Sequence, residues 1–243
     1  MNKSKVMMQG LPAALMVFSA AISICAQDQN SSKHNTRPQQ AAAAGTAVGD
    51  AKNEAVKYTY EFSQPKFVVN HIVLEHDANG RGTVTFERMN ESTPVVEPIE
   101  LSSTALERIR ASWQALRFLE SETDYQADKQ FPHLGTMRIG MQRGDRKRVA
   151  EFNWTNNSDA STLVNEYRKA ADQAILIFDI SVARENQPLG VPKLMEAMES
   201  MLKRDGLSDP RQLLKLLQDL TTDEHVPLIA RNHAQRLIKK IEK

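Results

Sequence analysis

The chain has 243 residues, of which 41% are hydrophobic, and this is enough to bury a sizeable core. Its 31 lysines and arginines nearly balance 30 aspartates and glutamates, so its charge gives no general reason to expect nucleic acid or anionic lipid as the partner. The single cysteine excludes a disulfide framework and a paired-cysteine metal site within the chain.

Residues 1–26 predict a secretory signal peptide. Lys3 and Lys5 precede an apolar run at 11–24, and Ala26 provides a cleavage point. An uncleaved anchor is the less favoured alternative, because a membrane span needs roughly 18 consecutive apolar residues and this run is shorter and interrupted by serine. We therefore expect an exported protein, periplasmic or secreted, with no membrane span after cleavage.

Cys25 offers a second way to process this N-terminus. A bacterial lipoprotein would be cut before Cys25 and acylated there, which would anchor the protein in the cell envelope. The residues before it, Ile22-Ser23-Ile24, differ from the Leu-Ala-Gly of a lipoprotein signal. The bulky Ile24 beside the cleavage point disfavours acylation. Cys25 is therefore a candidate lipidation site but not the favoured outcome.

Residues 27–57 predict a disordered polar tether. The segment is rich in Gln, Asn, Ser, Ala and Gly and has few large apolar residues. It therefore cannot bury enough apolar surface to offset the conformational entropy that ordering would cost. Cleavage would also remove Lys3 and Lys5 without removing an acid, which leaves the mature chain near neutral.

Residues 58–187 predict an α+β domain with the element order β-β-β-α-β-β-α. Its first strand candidate is 58–62. Alternating apolar runs at 67–76 and 83–89, separated by a turn-rich cluster, predict an antiparallel hairpin with one buried face. Two prolines at 94–98 then bracket a loop or an edge segment.

An amphipathic helix, a second hairpin and a long helix complete this domain. Apolar residues at helical spacing predict a helix over 106–119. Residues 134–154 predict a β-hairpin with a Gly-containing turn, and 158–187 predict a long amphipathic helix that Pro188 ends. Hairpins followed by helices are typical of an antiparallel sheet with the helices on one face.

Residues 188–243 predict an all-α appendage of three short helices. Pro192, Pro210 and Pro227 each open a segment with helical periodicity. Short helices joined by tight turns at near-constant spacing resemble HEAT- or armadillo-type helical hairpins. The resemblance covers only this segment, which is too short for the three repeats that a solenoid needs. It implies a role in protein binding.

The earlier part of the chain resembles small uncharacterised exported bacterial α+β domains. The matching segments are the Gly-x-Val-x-Phe strand at Gly82–Phe86, the amphipathic helix over 106–119 and the hairpin over 135–152. This is a match of element order and spacing. It implies no particular activity.

No metal, cofactor or catalytic site is predicted. His71, Glu75 and His76 invite a metalloprotease interpretation, but they lie on a predicted strand. There His71 and Glu75 would be about 13 Å apart, too far to share one metal ion, and His76 would face the opposite side. Motifs for a serine hydrolase, a phosphate loop or a dinucleotide site are absent from the sequence. The sequence favours a non-catalytic protein.

The candidate partner-binding residues are arginines of the second hairpin and of the last helix. The hairpin is locally basic, which would suit an acidic partner, although a solvated turn explains the same charges. The candidates are Arg138, Arg143, Arg146, Arg148, Arg231 and Arg236.

The leading hypothesis is an exported, non-catalytic bacterial protein that binds an unknown protein partner in the periplasm or outside the cell. The signal, the tether, the motif-poor core and the repeat-like helices all favour it. One alternative is a hydrolase or another enzyme with a site near the carboxylate-rich loop at 121–131. The other is a lipid-anchored structural protein of the envelope, acylated at Cys25.

Overall fold

The computed structural model of the protein describes residues 55–243. The predicted signal peptide, the candidate lipidation site Cys25 and the predicted tether up to residue 54 lie outside the described residues. The first strand begins at Val56, so the last two residues assigned to the tether belong to a sheet. Within the described range, no helix is long and apolar enough to cross a membrane.

An antiparallel sheet of six strands forms the first layer of the fold. The strands are β1 (Val56–Ser63), β2 (Val69–Asp77), β3 (Arg81–Arg88), β4 (Val95–Glu100), β5 (Thr136–Arg143) and β6 (Arg146–Phe152). Their order is β4-β3-β2-β1-β5-β6. β1 lies inside the sheet, with Tyr60 opposite Leu74 of β2 and Ile139 of β5. Since side chains alternate along a strand, these three share the buried face.

β4 contains the segment between Pro94 and Pro98, where the sequence was compatible with either a loop or an edge segment. It lies at the edge of the sheet and pairs with β3, where Pro98 is opposite Thr83. Proline has no backbone N–H to donate, and an edge strand, with one side unpaired, accommodates it. A fourth strand therefore precedes the first helix.

Helices complete the α+β fold that the sequence predicted. Those within residues 55–243 are α1 (Ser103–Leu116), α2 (Ser158–Asn186), α3 (Val191–Lys203), α4 (Leu214–Thr222) and α5 (Leu228–Ile241). α1 and α2 pack against the buried face of the sheet, as the alternation of hairpins and helices predicted. Short 3-10 turns at 132–134, 188–190 and 210–213 connect the elements.

α2 joins two hydrophobic cores. Its 29 residues follow Asn157, whose side chain accepts a hydrogen bond from the Ala160 N–H and so caps the helix. The first part of α2, including Tyr167, packs against the sheet in what we call the sheet core. The end of α2, with Leu176 and Ile180, packs with α3, α4 and α5 in what we call the helical core.

Polar contacts also fasten the C-terminal helices to the sheet. The Arg108 side chain of α1 donates to Glu166 of α2 at 2.7 Å and to the Ser208 carbonyl at 2.8 Å. The Gln212 amide donates to the carbonyl of Glu100, at the end of β4, at 2.9 Å. α2 belongs to both cores, and these hydrogen bonds join the segments after α3 to the rest of the fold. Residues 55–243 therefore belong to one compact unit.

Candidate functional site

A cleft of about 710 Å³ opens at one end of the sheet, between the β1–β2 loop, the start of β5 and the first half of α2. We call it the α2 cleft. Its size falls within the range of about 300–1,000 Å³ that is common for small-ligand sites. Its floor is apolar and aromatic, built from Tyr60, Phe62, Ile72, Met137, Phe152 and Val164.

The mouth of the α2 cleft exposes large apolar side chains to solvent. Phe67 and Val68 come from the β1–β2 loop, Leu134 from the turn before β5, and Trp154 from the segment after β6. All four are exposed, and Val68 is 75% exposed. They come from three segments that are far apart in the sequence, so the fold alone assembles this patch. A rim of this kind marks a place where an apolar group can bind.

One wall of the cleft is held by a buried glutamine and a glycine. The Gln64 amide donates to the carbonyls of Pro132 at 3.0 Å and His133 at 2.9 Å, which ties the β1–β2 loop to the turn before β5. Gly135 has a φ of +93°, and a Cβ at this position would lie 2.6 Å from the Phe62 ring. Only glycine allows so close an approach. The wall therefore depends on Gln64 and Gly135, each of which contacts a segment that is distant in the sequence.

The part of the cleft that Trp154 lines is held by the segment before the turn at 132–134. The Ala127 N–H donates to the Trp154 carbonyl at 3.0 Å, and the Phe131 N–H donates to the Asn153 side chain at 3.0 Å. The Phe131 ring packs edge-on against Trp154, with centroids 5.2 Å apart. These contacts fix the indole at the mouth of the cleft.

Arg168 of α2 is the principal charged group of the cleft. Its guanidinium lies 5.6 Å from the centroid of the Phe62 ring, a cation–π contact. Its neighbours on α2 form ion pairs, Glu166 with Arg108 and Lys169 with Asp205. No ion pair among residues 55–243 involves Arg168. Its Nη2–H contacts the Met137 sulfur at 4.0 Å, a weak acceptor that leaves the charge unneutralised.

Three further ionisable groups line the cleft. Lys66 lies on the β1–β2 loop, and Asp172 lies one turn beyond Arg168 on α2. Burial raises the pKa of Asp172, and the charges of Arg168 and Arg204 oppose this rise without cancelling it. Burial also raises the pKa of Tyr60 to about 12, despite the opposing effect of Arg168. Tyr60 is consequently a neutral hydroxyl at physiological pH.

Three arginines of the second hairpin, Arg138, Arg146 and Arg148, lie away from the α2 cleft and bind within the chain. Arg138 pairs with Glu61 at 3.1 Å and with Glu151 at 3.2 Å. Arg146 pairs with Glu120 at 3.0 Å. These contacts link neighbouring strands and fasten the loop after α1.

Arg148 has the most extensive contacts of these arginines. It donates to the carbonyls of Phe118 at 2.7 Å and Thr123 at 2.6 Å, and its guanidinium lies 4.5 Å from the Phe118 ring centroid. Arg143 and Arg236 are exposed, and Arg231 is half-buried with its Nε lacking a hydrogen-bond partner. Partner binding by any of the six arginines stays a prediction.

The carboxylates near 121–131 are dispersed along an exposed loop. Glu120 pairs with Arg146, and Asp124 accepts a hydrogen bond from the Gln126 N–H at 2.9 Å. Glu122 and Asp128 are exposed. Within residues 55–243, no group of three or more His, Cys, Asp or Glu side chains could hold a metal ion.

His71 and His76 lie on opposite faces of β2, as the strand alternation predicted. His71 is on the open face, where its ring nitrogens lie 3.1 Å from Glu61 and 3.1 Å from Glu87. His76 is buried, and burial lowers its pKa. Its Nδ1–H donates to the Asp77 carbonyl at 2.7 Å, so its Nε2 accepts from the Tyr167 hydroxyl at 2.8 Å. This histidine is satisfied inside the core.

No protein-family model matches this chain, and no curated protein matches its sequence. The chemistry of the α2 cleft therefore carries the functional conclusion. The sequence reasoning did not identify the cleft, since its walls come from four separate segments. The apolar Phe67-Val68 pair beside Lys66, and Trp154 in an otherwise polar connection, are the two local signals that could have drawn attention to it.

Proposed function

We propose that the protein is an exported, non-catalytic binding module and that the α2 cleft is its binding site. The observation that carries this proposal is the apolar cleft of about 710 Å³, with four large apolar side chains exposed at its mouth. Apolar surface left in water is unfavourable by about 25 cal/mol per Å². A bound apolar group would recover that free energy.

The polar groups of the cleft favour binding over chemical conversion. Tyr60 keeps its proton at physiological pH, because its pKa is about 12. The described lining contains neither histidine nor cysteine, so Ser161 has no histidine base beside it in the cleft. The alternative of a hydrolase at 121–131 has less support, because its carboxylates cap or pair locally, or lie in solvent.

A neutral apolar dye tests the proposal. We expect N-phenyl-1-naphthylamine to bind the full chain saturably at one site, and Val68→Asp to weaken this binding by about tenfold or more, because a bound apolar ring would desolvate the new carboxylate. Leu189→Asp is the matched control, since Leu189 is 87% exposed and does not line the cleft. Equal loss in both variants, or no saturable binding, would contradict the proposal.

A protein partner bound by the C-terminal helices is the second candidate function. Leu228 and Ile229, at the start of α5, are 62% and 67% exposed. Deleting residues 210–241 is a poor test, because it would remove part of the helical core. Replacing both residues by aspartate leaves that core intact. The test uses a stoichiometric partner that the wild-type protein captures from the envelope fraction and that also binds the purified wild-type protein. Loss of this partner in the double variant would support the candidate. Binding at wild-type affinity would exclude it.

Export is likewise a proposal, supported by the charged start, the apolar run and the small residues before Gln27. Mass spectrometry of the mature N-terminus in the producing bacterium tests it. A chain that begins at Gln27 is expected. An acylated Cys25 would replace the soluble form by the lipid-anchored alternative, and an intact N-terminus in the cytoplasm would exclude export.

A further inference from the structure

We propose that the α2 cleft binds an amphiphile whose apolar chain lies on the aromatic floor and whose carboxylate pairs with Arg168. This rests on the proposed function, because it names the ligand class of the same site. It adds a requirement for charge, which an apolar cleft alone does not impose.

Arg168 is placed to bind the carboxylate of a ligand in the cleft. The guanidinium stands over Phe62 within the cleft and forms no ion pair among residues 55–243. Its planar fork of N–H donors matches the two oxygens of a carboxylate. One donor of Arg168, its Nη2–H, lies 4.0 Å from the Met137 sulfur, which is a weak acceptor that a carboxylate oxygen would replace. A ligand that enters the cleft with an anionic group therefore finds a prepared partner.

The charged side chains of the whole lining also favour an anionic ligand. Lys66 and Arg168 contribute two cations to the described lining, and Asp172 is its one acid. Asp172 is half-buried on the same helix, at a distance that forms no ion pair with Arg168. The lining is thus net positive. It favours anionic over cationic amphiphiles of the same chain length.

The floor of the cleft offers apolar surface to the chain of the ligand. Phe62, Met137 and Val164 present aromatic and flexible apolar surface beside the guanidinium. Each methylene buried there should add about 0.8 kcal/mol, which is about fourfold in affinity, until the chain fills the cleft. A small hydrophilic anion would forgo this contribution. The apolar part of the ligand should therefore set most of the affinity, and the carboxylate should set the selectivity.

A head-group series at constant chain length tests the inference. The full chain is titrated at neutral pH with dodecanoate and dodecyltrimethylammonium below their micelle concentrations and with dodecanol below its solubility limit. Trp154 at the mouth reports binding by fluorescence, whereas Trp113 is buried in the sheet core. Trp154→Phe identifies the responding indole. We expect dodecanoate to bind at least about tenfold more tightly than dodecanol, the size of a charge-assisted hydrogen bond.

Arg168→Gln should abolish the preference for dodecanoate over dodecanol while leaving dodecanol binding unchanged. Arg236→Gln is the matched control, because it changes the net charge equally at an exposed position of α5. Both variants carry the same N-terminal apolar segment, so their difference reports the cleft. Equal weakening in both variants would overturn the role of Arg168.

The outcomes separate this inference from the proposed function. If dodecanol binds as tightly as dodecanoate, the carboxylate requirement is wrong while the apolar binding site stands. If none of the three compounds binds, both proposals are wrong. If a peptide with an apolar C-terminus displaces the dye at a much lower concentration than dodecanoate does, the ligand is a protein segment and the amphiphile is excluded.

Discussion

The sheet core and the helical core of this protein are built from different side chains. The sheet core contains a set of large aromatic residues, among them Tyr58, Tyr60, Phe86, Trp113 and Tyr167. The helical core is filled by leucine, isoleucine, methionine, valine and alanine, and residues 179–243 contain no phenylalanine, tyrosine or tryptophan. α2 contributes to both.

This difference teaches where the protein needs fixed positions. The Tyr167 hydroxyl accepts from the Trp113 indole at 2.9 Å and donates to His76 at 2.8 Å, so three buried side chains hold one another in place. Methionine has no polar atom that must be satisfied and adapts to irregular space. The α2 cleft opens beside the core with fixed positions, and Tyr60 belongs to both.

The largest expected effect tests whether the two cores unfold together. Leu217 is fully buried in the helical core, and Leu217→Ala should lower the free energy of unfolding by about 2–5 kcal/mol. Near-UV circular dichroism reports only aromatic residues, and hence the sheet core, whereas far-UV circular dichroism reports all helices. Because α2 runs through both cores, we expect the two signals to fall at the same lowered temperature. Two separated transitions would show that the cores are independent.

The second effect tests how strictly the sheet core is specified. Tyr167→Phe removes one oxygen and leaves the Trp113 N–H and the His76 Nε2 without partners. We expect a loss of about 2–3 kcal/mol in the free energy of unfolding by urea. Met198→Leu is the matched change in the helical core, where a volume-conserving replacement should lower it by less than about 1.5 kcal/mol. Equal losses in the two variants would contradict the contrast between the cores.

Local pattern was enough to predict the α+β class of this fold and its elements other than β4. The alternation in β2 placed His71 and His76 on opposite faces, and the spacing over 158–187 predicted α2. The sequence left β4 open, because Pro94 and Pro98 are equally compatible with a loop and with an edge strand. Tertiary position alone decided between them.

Contacts that join distant residues were beyond sequence reasoning. The position of β1 between β2 and β5 depends on pairing across about 80 residues, as between Tyr60 and Ile139. The basic hairpin suggested a partner surface, yet Arg148 bonds to carbonyls of the 118–123 segment. The α2 cleft escaped for the same reason, since no single segment contains more than a part of it.

The smallest expected effect on stability concerns the solvent-facing side of the sheet, which belongs to neither core. His71 lies between Glu87 and Glu61, 3.1 Å from an oxygen of each. Carboxylates only accept hydrogen bonds, so the protonated imidazole donates through both nitrogens. Partial burial lowers the pKa of His71, but the hydrogen bonds to Glu87 and Glu61 and their charges outweigh it, so the pKa is raised.

This raised pKa predicts how stability depends on pH. Because the pKa of His71 is higher in the folded than in the unfolded chain, its stabilisation is fully present below the unfolded value of about 6.5 and is lost as pH rises through the folded pKa. We expect the free energy of unfolding, measured in urea from about pH 6 to about pH 9, to fall more for wild type than for His71→Gln. The difference should be the smallest of the three effects, because the group is partly exposed and solvent screens it. Identical pH dependence in the two proteins would show that the two carboxylates do not hold a protonated His71.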